Sequence, residues 1–311
     1  MVGTGVRTAA LFAAIIALFV VVGGLLGQYL FGSLVAGLVT ALTLSLAFNL
    51  ISYLFADRFV LWANSARVVT RAEAPRLAAI VDELAPKFGL VAPRLAIVPS
   101  MTPNAFATGR DERHAVVAAT EGILHLLDDR ELRGVLAHEL AHVKDRDVLL
   151  MTVAATIAGA ISYLAQMVLF SALFGGGNNR SNVNPIVLIL AVITAPIAAM
   201  LIQLAISRSR ETRADEVGAR TVGDPEALAR ALEKLETANV RRPMRTAAPA
   251  SSSLYIVNPF RGSWFASLFS THPPIEQRIA RLRAMRVEYR YTPNVRAPGL
   301  ASSLGRSATR P

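Results

Sequence analysis

The sequence predicts an α+β membrane protein, in which four transmembrane helices accompany a mainly helical domain that carries a small β-sheet. Two observations lead to this fold class. Hydrophobic residues make up 53% of the 311 residues, and they are concentrated in two long blocks instead of being spread along the chain. Outside these blocks the chain is charged and has the periodicities of amphipathic helices and short strands. The second block therefore divides the water-soluble domain into two parts in sequence.

The two apolar blocks are each long enough for a pair of membrane spans. Residues 9–55 contain no charged side chain, and residues 148–206 contain only Arg180. A transmembrane helix needs about 20 apolar residues. A cleaved signal peptide is the alternative for the first block, but a second apolar stretch follows it almost at once. The spans are expected near Ala9–Leu26, Gly32–Phe55, Val148–Phe174 and Pro185–Ile206.

The basic residues predict the orientation of these spans. Short loops that are rich in lysine and arginine stay in the cytoplasm. The two loops on the opposite side hold only Arg180 between them. Both termini and the segment between the two hairpins are therefore predicted to be cytoplasmic. The cytoplasmic basic residues near the spans are Arg7, Arg58, Arg67, Arg71, Arg130, Arg133, Lys144, Arg146, Arg208, Arg210 and Arg213.

The net charge of +10 comes from the C-terminal part of the chain, because residues 207–311 hold 18 basic and 9 acidic side chains. Topology and attraction to anionic lipid headgroups explain such an excess. Nucleic acid is not expected as a partner, since no stacking aromatic residues alternate with the arginines. The chain contains no cysteine, which excludes disulfides and thiolate metal ligands.

The charged segments have recognisable helix and strand patterns. The helix that opens at Asp128 has Glu131 in capping-box spacing, and nothing interrupts it before Val148, so we expect it to continue into the third span. Residues 293–311 are predicted to be disordered. The other expected helices are Ala72–Leu90, Ser207–Val222, Pro225–Ala238 and Pro273–Val287, and the expected strands are Arg94–Pro99, Asn104–Gly109 and Ala115–Thr120.

The sequence HELAH at residues 138–142 predicts a metal site on this helix. His138 and His142 are four positions apart, so both imidazoles lie on one helix face and can reach one ion. Glu139 can then act as a general base in hydrolysis. Charged residues flank the motif on both sides, which indicates a position in water or at the membrane interface and not inside a span.

A third ligand is needed, because catalytic zinc sites usually have three protein ligands. His114 and His125 are better explained as surface or capping residues. The candidate is Glu211, which directly follows the fourth span at the membrane depth of the motif. Asp215 shares its helix face and could hydrogen-bond a ligand histidine.

Two of these assignments have simpler alternatives. Glu211 could instead form an ordinary surface salt bridge with Arg208 or Arg210. Asp147 could orient the metal region, but a charge at a helix end is the simpler explanation.

The motifs HELAHVKDRD, SRSRETRAD, NAFATG and THPPIEQR resemble those of HtpX-type membrane metalloproteases, which are related to CAAX prenyl endopeptidases and Oma-type proteases. The resemblance runs from the first span to about residue 286. It implies a zincin-like catalytic domain with one Zn²⁺, bound by His138, His142 and Glu211, and Glu139 as catalytic base. It also implies a multi-pass protein of the bacterial inner membrane that hydrolyses misfolded or damaged membrane proteins in quality control and the stress response.

With this resemblance the chain divides into five segments. The transmembrane hairpins are residues 1–56 and 148–206. The catalytic domain consists of residues 57–147, which contain the motif helix, and residues 207–292, which contain the third ligand. The tail is residues 293–311.

Three further positions are candidates for the site. Residues Asn104, Ala105, Phe106 and Ala107 have the alternation of an edge strand that could hold an extended substrate by main-chain pairing, although a purely structural strand fits the pattern equally well. His272 or Arg278 could stabilise the oxyanion. His272 could instead occupy the open metal position and hold the enzyme latent, or serve a helix N-terminus.

Two other functions compete with proteolysis. A catalytically silent membrane scaffold or carrier could keep a vestigial metal site. The spans contain few polar groups and no ionisable pair that would form an ion pathway, which argues against a carrier. Peptide substrates and the lipid bilayer are therefore the expected partners.

Overall fold

The computed structural model describes residues 6, 8–17, 20, 32–157, 208–241, 254–257 and 273–291. Several expectations lie outside these residues: the fourth span, most of the third span, the loop with Arg180, His272 and the C-terminal tail. Within the described part the protein is mainly helical and has one small mixed sheet.

Helix α1 covers Thr8–Ala17 and helix α2 covers Leu34–Ala63. Among the described residues, α2 is the helix that is long and apolar enough to cross a membrane. Ser33 caps its N-terminus by accepting a hydrogen bond from the Ala36 amide. With 30 residues α2 is about 45 Å long, so it extends beyond a hydrocarbon core of about 30 Å. The helix therefore continues past the expected end of the second span at Phe55.

The sheet contains four strands, β1 (Arg67–Val69), β2 (Arg94–Val98), β3 (Ala105–Thr108) and β4 (Val116–Thr120), in the order β1-β2-β4-β3. Strands β2 and β4 are parallel, and the other two pairs are antiparallel. The sequence predicted β2, β3 and β4, but it did not predict β1, which has only three residues. Strand β3 is last in the order and forms an edge of this sheet.

Helix α3 covers Pro75–Leu84 and is followed by a 3₁₀ turn over Ala85–Phe88. The prediction of a single helix over Ala72–Leu90 is therefore wrong, because the α-helix is shorter. Pro86 cannot donate the hydrogen bond that an α-helix needs at this point. Gly89 then ends the turn in the left-handed region, with a φ of 67°.

Helix α4 covers Glu121–Leu126, and α5, which carries the HELAH motif, covers Asp129–Lys144. The capping box between Asp128 and Glu131 is present, as the sequence predicted. The expected continuation into the third span is wrong. Arg146 has a φ of +57°, which breaks the helix, and a new helix α6 begins there and covers Asp147–Ile157.

Three more helices complete the described fold: α7 (Arg208–Val222), α8 (Pro225–Arg241) and α9 (Ile275–Tyr291). The sequence predicted all three to within a few residues. The sheet separates two apolar clusters. Leu95, Val117 and Ala119 pack with α3, α5 and α8, whereas Phe106 and Ala118 pack with apolar residues of α1, α2 and α6. The strands thus lie between the motif helix and the ends of the apolar helices.

Candidate metal centre

The two histidines of the HELAH motif face the same point inside the protein. One helical turn separates His138 from His142 on α5, and their ring centroids are 4.8 Å apart. Both side chains are almost completely buried. Buried imidazoles need polar partners, and the nearest ones come from helices α6 and α7.

Glu211, in the first turn of α7, completes this group. Its Oε1 lies 3.3 Å from His142 Nε2, and its Oε2 lies 3.7 Å from His138 Nε2. Only 1% of the glutamate is exposed, so it is not a surface salt bridge. The ligand atoms of the three residues lie within 4.8 Å of one another, in an arrangement that could hold a metal ion. The structure thus brings together the three residues that the sequence selected as ligands.

Close packing of α7 on α5 positions Glu211. Gly218 makes this possible, because a Cβ atom there would lie only 2.9 Å from the backbone nitrogen of His138. Every larger residue would push the two helices apart. The distance between Glu211 and the histidines therefore depends on a glycine two turns further along α7.

A second set of charged side chains supports the histidines from behind. Asp215 Oδ1 lies 2.9 Å from His138 Nδ1, and Asp147 Oδ2 lies 3.6 Å from His142 Nδ1. Arg210 in turn lies 3.1 Å from Asp147. Such carboxylates orient an imidazole and select the tautomer that leaves Nε2 available as a ligand. Asp215 lies beside His138 and Asp147 lies beside His142, so both carboxylates are placed where they could orient a ligand histidine.

Burial dominates the electrostatics of both histidines, because a charged ring is poorly solvated inside a protein. It lowers the pKa of His138 despite the neighbouring Asp215. At His142 the carboxylates of Asp147 and Glu211 outweigh burial and raise the pKa to about 10. Metal ligation requires neutral imidazoles, so binding of an ion must displace a proton from His142.

Glu139 is the neighbour of the first histidine and is 2% exposed. Burial raises its pKa to about 7 from an ordinary value of 4.5. The backbone N–H of Ala107 donates a hydrogen bond to its carboxylate, which links α5 to strand β3. A pKa near neutrality suits a group that must accept and return a proton.

Arg278 uses three of its five N–H groups in hydrogen bonds to other protein groups. Its Nε and Nη2 donate to the two carboxylate oxygens of Asp215, at 2.8 and 2.7 Å. Its Nη1 donates to the Ile256 carbonyl at 2.8 Å and lies 3.9 Å from Glu211 Oε2. Burial would raise the pKa of Asp215, but the charge of Arg278 outweighs it and lowers that pKa to about 2. Arg278 therefore contacts the residues that support the ligands.

The four candidate residues of the substrate strand are also at the site. Asn104, Ala105, Phe106 and Ala107 are buried, and the last three lie in edge strand β3. The side chain of Asn104 donates to the Val257 carbonyl at 2.6 Å. Sequence reasoning did not identify this partner, because the two residues are 153 positions apart. It likewise did not identify the pairing of Asp147 with Arg210, for which the only signal was a charge directly before an apolar segment.

Comparisons with known proteins agree with this geometry. Residues 71–286 match the family model of Peptidase family M48. A protein of Thermococcus kodakarensis named Protease HtpX homolog is 57% identical over 243 residues, which cover 78% of this chain and 84% of the relative. A protein of the same name from Syntrophobacter fumaroxidans is 52% identical over 241 residues, which cover 76% and 86%.

Among solved structures, the crystal structure of S. mikatae Ste24p is similar with a TM-score of 0.45 and 17% identity. The match covers 88% of this chain and 62% of that one. The named proteases do not favour the alternative of a silent scaffold or carrier. The family match spans more than half of the chain, and the relatives exceed 50% identity over most of their length. The chain therefore belongs to peptidase family M48, as an HtpX-type membrane metalloprotease.

Proposed function

We propose that the protein is a zinc endopeptidase that is integrated in the inner membrane and cleaves misfolded or damaged membrane proteins at the cytoplasmic face. The observation that carries this proposal is the buried convergence of His138, His142 and Glu211 from two helices that are distant in sequence. Burying three such side chains together is costly unless a ligand or a strong network compensates for the lost solvation. A bound metal ion would provide that compensation.

Zinc fits this donor set. Two imidazoles and one carboxylate are a common ligand combination for catalytic zinc, and ligand atoms about 2.0–2.2 Å from an ion in a tetrahedral site are about 3.4 Å apart. The separations from the two carboxylate oxygens of Glu211, 3.3 and 3.7 Å, are close to that value, and one ligand atom from each of the three residues lies within 4.8 Å of the others. When bound, zinc would activate a water molecule and polarise the scissile carbonyl.

Glu139 is the proposed general base and acid. It follows His138 directly in the chain, and its pKa of about 7 lets it accept a proton and later return it to the leaving amine. The Ala107 N–H holds one side of its carboxylate, which restricts the direction in which the group can act. Arg278 is proposed as a positioning residue, because it fixes Asp215 behind His138. Its two remaining N–H groups keep the oxyanion role proposed from the sequence as the alternative.

His272 keeps the roles proposed from the sequence. It could stabilise the oxyanion, block the open metal position or support the start of α9. A His272→Ala variant with raised activity would favour latency, and one with lost activity would favour the oxyanion role.

Strand β3 is the proposed substrate-binding strand. It is an edge strand, and its residue Ala107 contacts the catalytic base. Main-chain pairing along such an edge recognises an extended shape more than a particular sequence, which suits a quality-control protease.

The membrane location rests on the long apolar helix α2 and on the distribution of basic residues. The two hairpins with cytoplasmic termini would hold the catalytic domain at the inner surface of the bilayer. Substrates that are themselves in the membrane would then be close to the metal centre.

The decisive experiment is metal analysis of the purified protein in detergent beside the variant Glu211→Ala. We expect one zinc per wild-type chain and a large loss in the variant, together with chelator-sensitive cleavage of casein by the wild type only. Glu216→Ala on the same helix is the matched control and should keep its zinc. If Glu211→Ala retains one zinc per chain and cleaves casein, the ligand assignment is wrong.

A further inference from the structure

The outer edge of strand β3 is occupied by a short segment of the same chain, Leu254–Val257, which we call the edge segment. The Thr120 N–H donates to the Asn104 carbonyl at 3.0 Å, so the main-chain groups of Asn104 face β4. In an antiparallel pair the next residue faces the opposite way. The main-chain groups of Ala105 and Ala107 therefore face the outer edge, on which a substrate would pair.

The edge segment is not itself a strand, but it makes one main-chain hydrogen bond to that edge. The Ile256 N–H donates to the Ala105 carbonyl at 3.1 Å. Asn104 uses its side-chain amide in the same manner, donating to the Val257 carbonyl at 2.6 Å and accepting from the Val257 N–H at 3.4 Å. Asn104 thus binds both main-chain groups of Val257, and these two hydrogen bonds do not involve the valine side chain.

Side chains fix the edge segment in the apolar interior. All four of its residues are apolar or aromatic and at least 96% buried. The ring of Tyr255 packs edge-on against Phe106 with centroids 5.1 Å apart. Its hydroxyl donates to Asn64 Oδ1 at 2.9 Å, at the C-terminal cap of the apolar helix α2. The segment is therefore attached both to the candidate substrate strand and to the end of a membrane helix.

The edge segment also lies next to the catalytic groups. Along a strand, two residues span about 6.6 Å, which is the distance that separates Ala105 from the Ala107 amide bound to Glu139. The Ile256 carbonyl accepts from Arg278, which supports Asp215 behind His138. A peptide that extended along β3 toward Glu139 would need the Ala105 carbonyl and the Asn104 amide, and the edge segment uses both.

We propose that the edge segment is an internal competitor for the substrate-binding edge of β3, and that an extended apolar peptide displaces it by taking over its hydrogen bonds to Asn104 and Ala105. This inference rests on the proposed function. In this structure the edge segment occupies the substrate-binding edge of β3, and the end of helix α2 helps to hold it there.

The first test weakens the competitor without touching the catalytic groups. Tyr255→Phe removes the hydrogen bond to Asn64. A hydrogen bond of ordinary strength corresponds to about a fivefold shift in the equilibrium between the edge segment bound to β3 and the segment released from it. We expect KM for a fluorogenic peptide derived from a casein cleavage site to fall about fivefold with kcat unchanged. Tyr53→Phe, which removes a hydroxyl elsewhere on α2, is the matched control and should leave KM unaltered. An unchanged or raised KM in Tyr255→Phe would mean that the segment is a fixed part of the site.

The second test follows the edge segment directly, since the chain contains no cysteine. Val257→Cys is introduced into the inactive variant Glu139→Gln, and the rate of thiol labelling is measured with and without the same peptide. Displacement predicts that saturating peptide raises the labelling rate at least tenfold. Val135→Cys, buried in α5, should be labelled slowly in both cases. Bound peptide that leaves Val257→Cys protected would overturn the proposal.

The two proposals fail in different ways. If zinc-loaded wild-type protein cleaves no peptide, the proposed function fails. If it cleaves the peptide normally while Tyr255→Phe keeps the wild-type KM and Val257→Cys stays protected, only the competitor proposal fails.

Discussion

Replacing Asp215 by asparagine tests the charged network behind the metal centre. The substitution keeps the shape of the side chain and removes its charge. In the wild type, Asp215 accepts two hydrogen bonds from Arg278 and lies 2.9 Å from His138 Nδ1. Arg278 is 3% exposed, so water cannot replace the lost partner. Asp215→Asn therefore leaves a buried guanidinium without its nearer carboxylate, and only Glu211 Oε2 remains beside it, at 3.9 Å.

The expected magnitude follows from this burial. Removing one partner of a buried ion pair costs about 3–5 kcal/mol. Each kcal/mol moves the thermal midpoint of a domain of this size by about 2–4 °C, so the Tm of the zinc-free protein should fall by roughly 6–20 °C. The zinc affinity should fall about 10–100-fold, because His138 loses the carboxylate that orients it. Thermal unfolding in detergent and competition with a metal chelator measure the two quantities separately.

A double variant separates the stability effect from the metal effect. Asp215→Asn combined with Arg278→Met removes both charges, so most of the lost Tm should return while zinc affinity stays low. Asp129→Asn, an exposed acidic residue on the motif helix, is the control and should change stability by about 1 kcal/mol or less. Wild-type zinc affinity in either Asp215 variant would refute the idea that this carboxylate supports the ligand.

Three other predictions concern the same helices. Glu139→Gln should keep its zinc and lower the rate of peptide hydrolysis by about 10²–10⁴-fold. Metal analysis and casein cleavage on one sample measure the two quantities, and near-normal cleavage would show that Glu139 is not the general base. Gly218→Ala should lower both Tm and zinc affinity, because overpacking costs about 1–3 kcal/mol and exceeds the gain of about 1 kcal/mol in helix propensity. A higher Tm in that variant would contradict the close approach of the two helices. Asp128→Ala removes the capping box and should lower the stability of the motif helix by about 1 kcal/mol in denaturant unfolding, a loss that should exceed that of Asp129→Ala.

Local patterns in the sequence predicted most of the helices and strands. The capping box at Asp128 and the alternation in β2, β3 and β4 depend on neighbours within a few residues, so they can be recognised without the fold. Two errors also have local causes. The helix after Ala72 is shortened by Pro86, and the motif helix stops at Arg146, whose left-handed backbone no sequence pattern indicated. Strand β1 was not predicted because three residues are too few for a periodic signal.

The candidate site was only partly predictable. The shared face of His138 and His142 follows from the helical repeat, whereas the choice of Glu211 depended on the expected order of the spans. The contact of Arg278 with Asp215 joins residues that are 63 positions apart, so the sequence did not predict it.

The sequence by itself determined the class of the chemistry and the residues that could carry it, because ligand spacing on one helix is a local property. Only the tertiary structure decided which distant groups share one buried volume: Glu211 with the histidines, Asp147 behind His142, and Ile256 on the outer edge of β3. The physical reason is solvation. A buried charge or main-chain group must find a partner wherever the packed chain supplies one, and that partner is selected by three-dimensional proximity, which no spacing along the chain encodes.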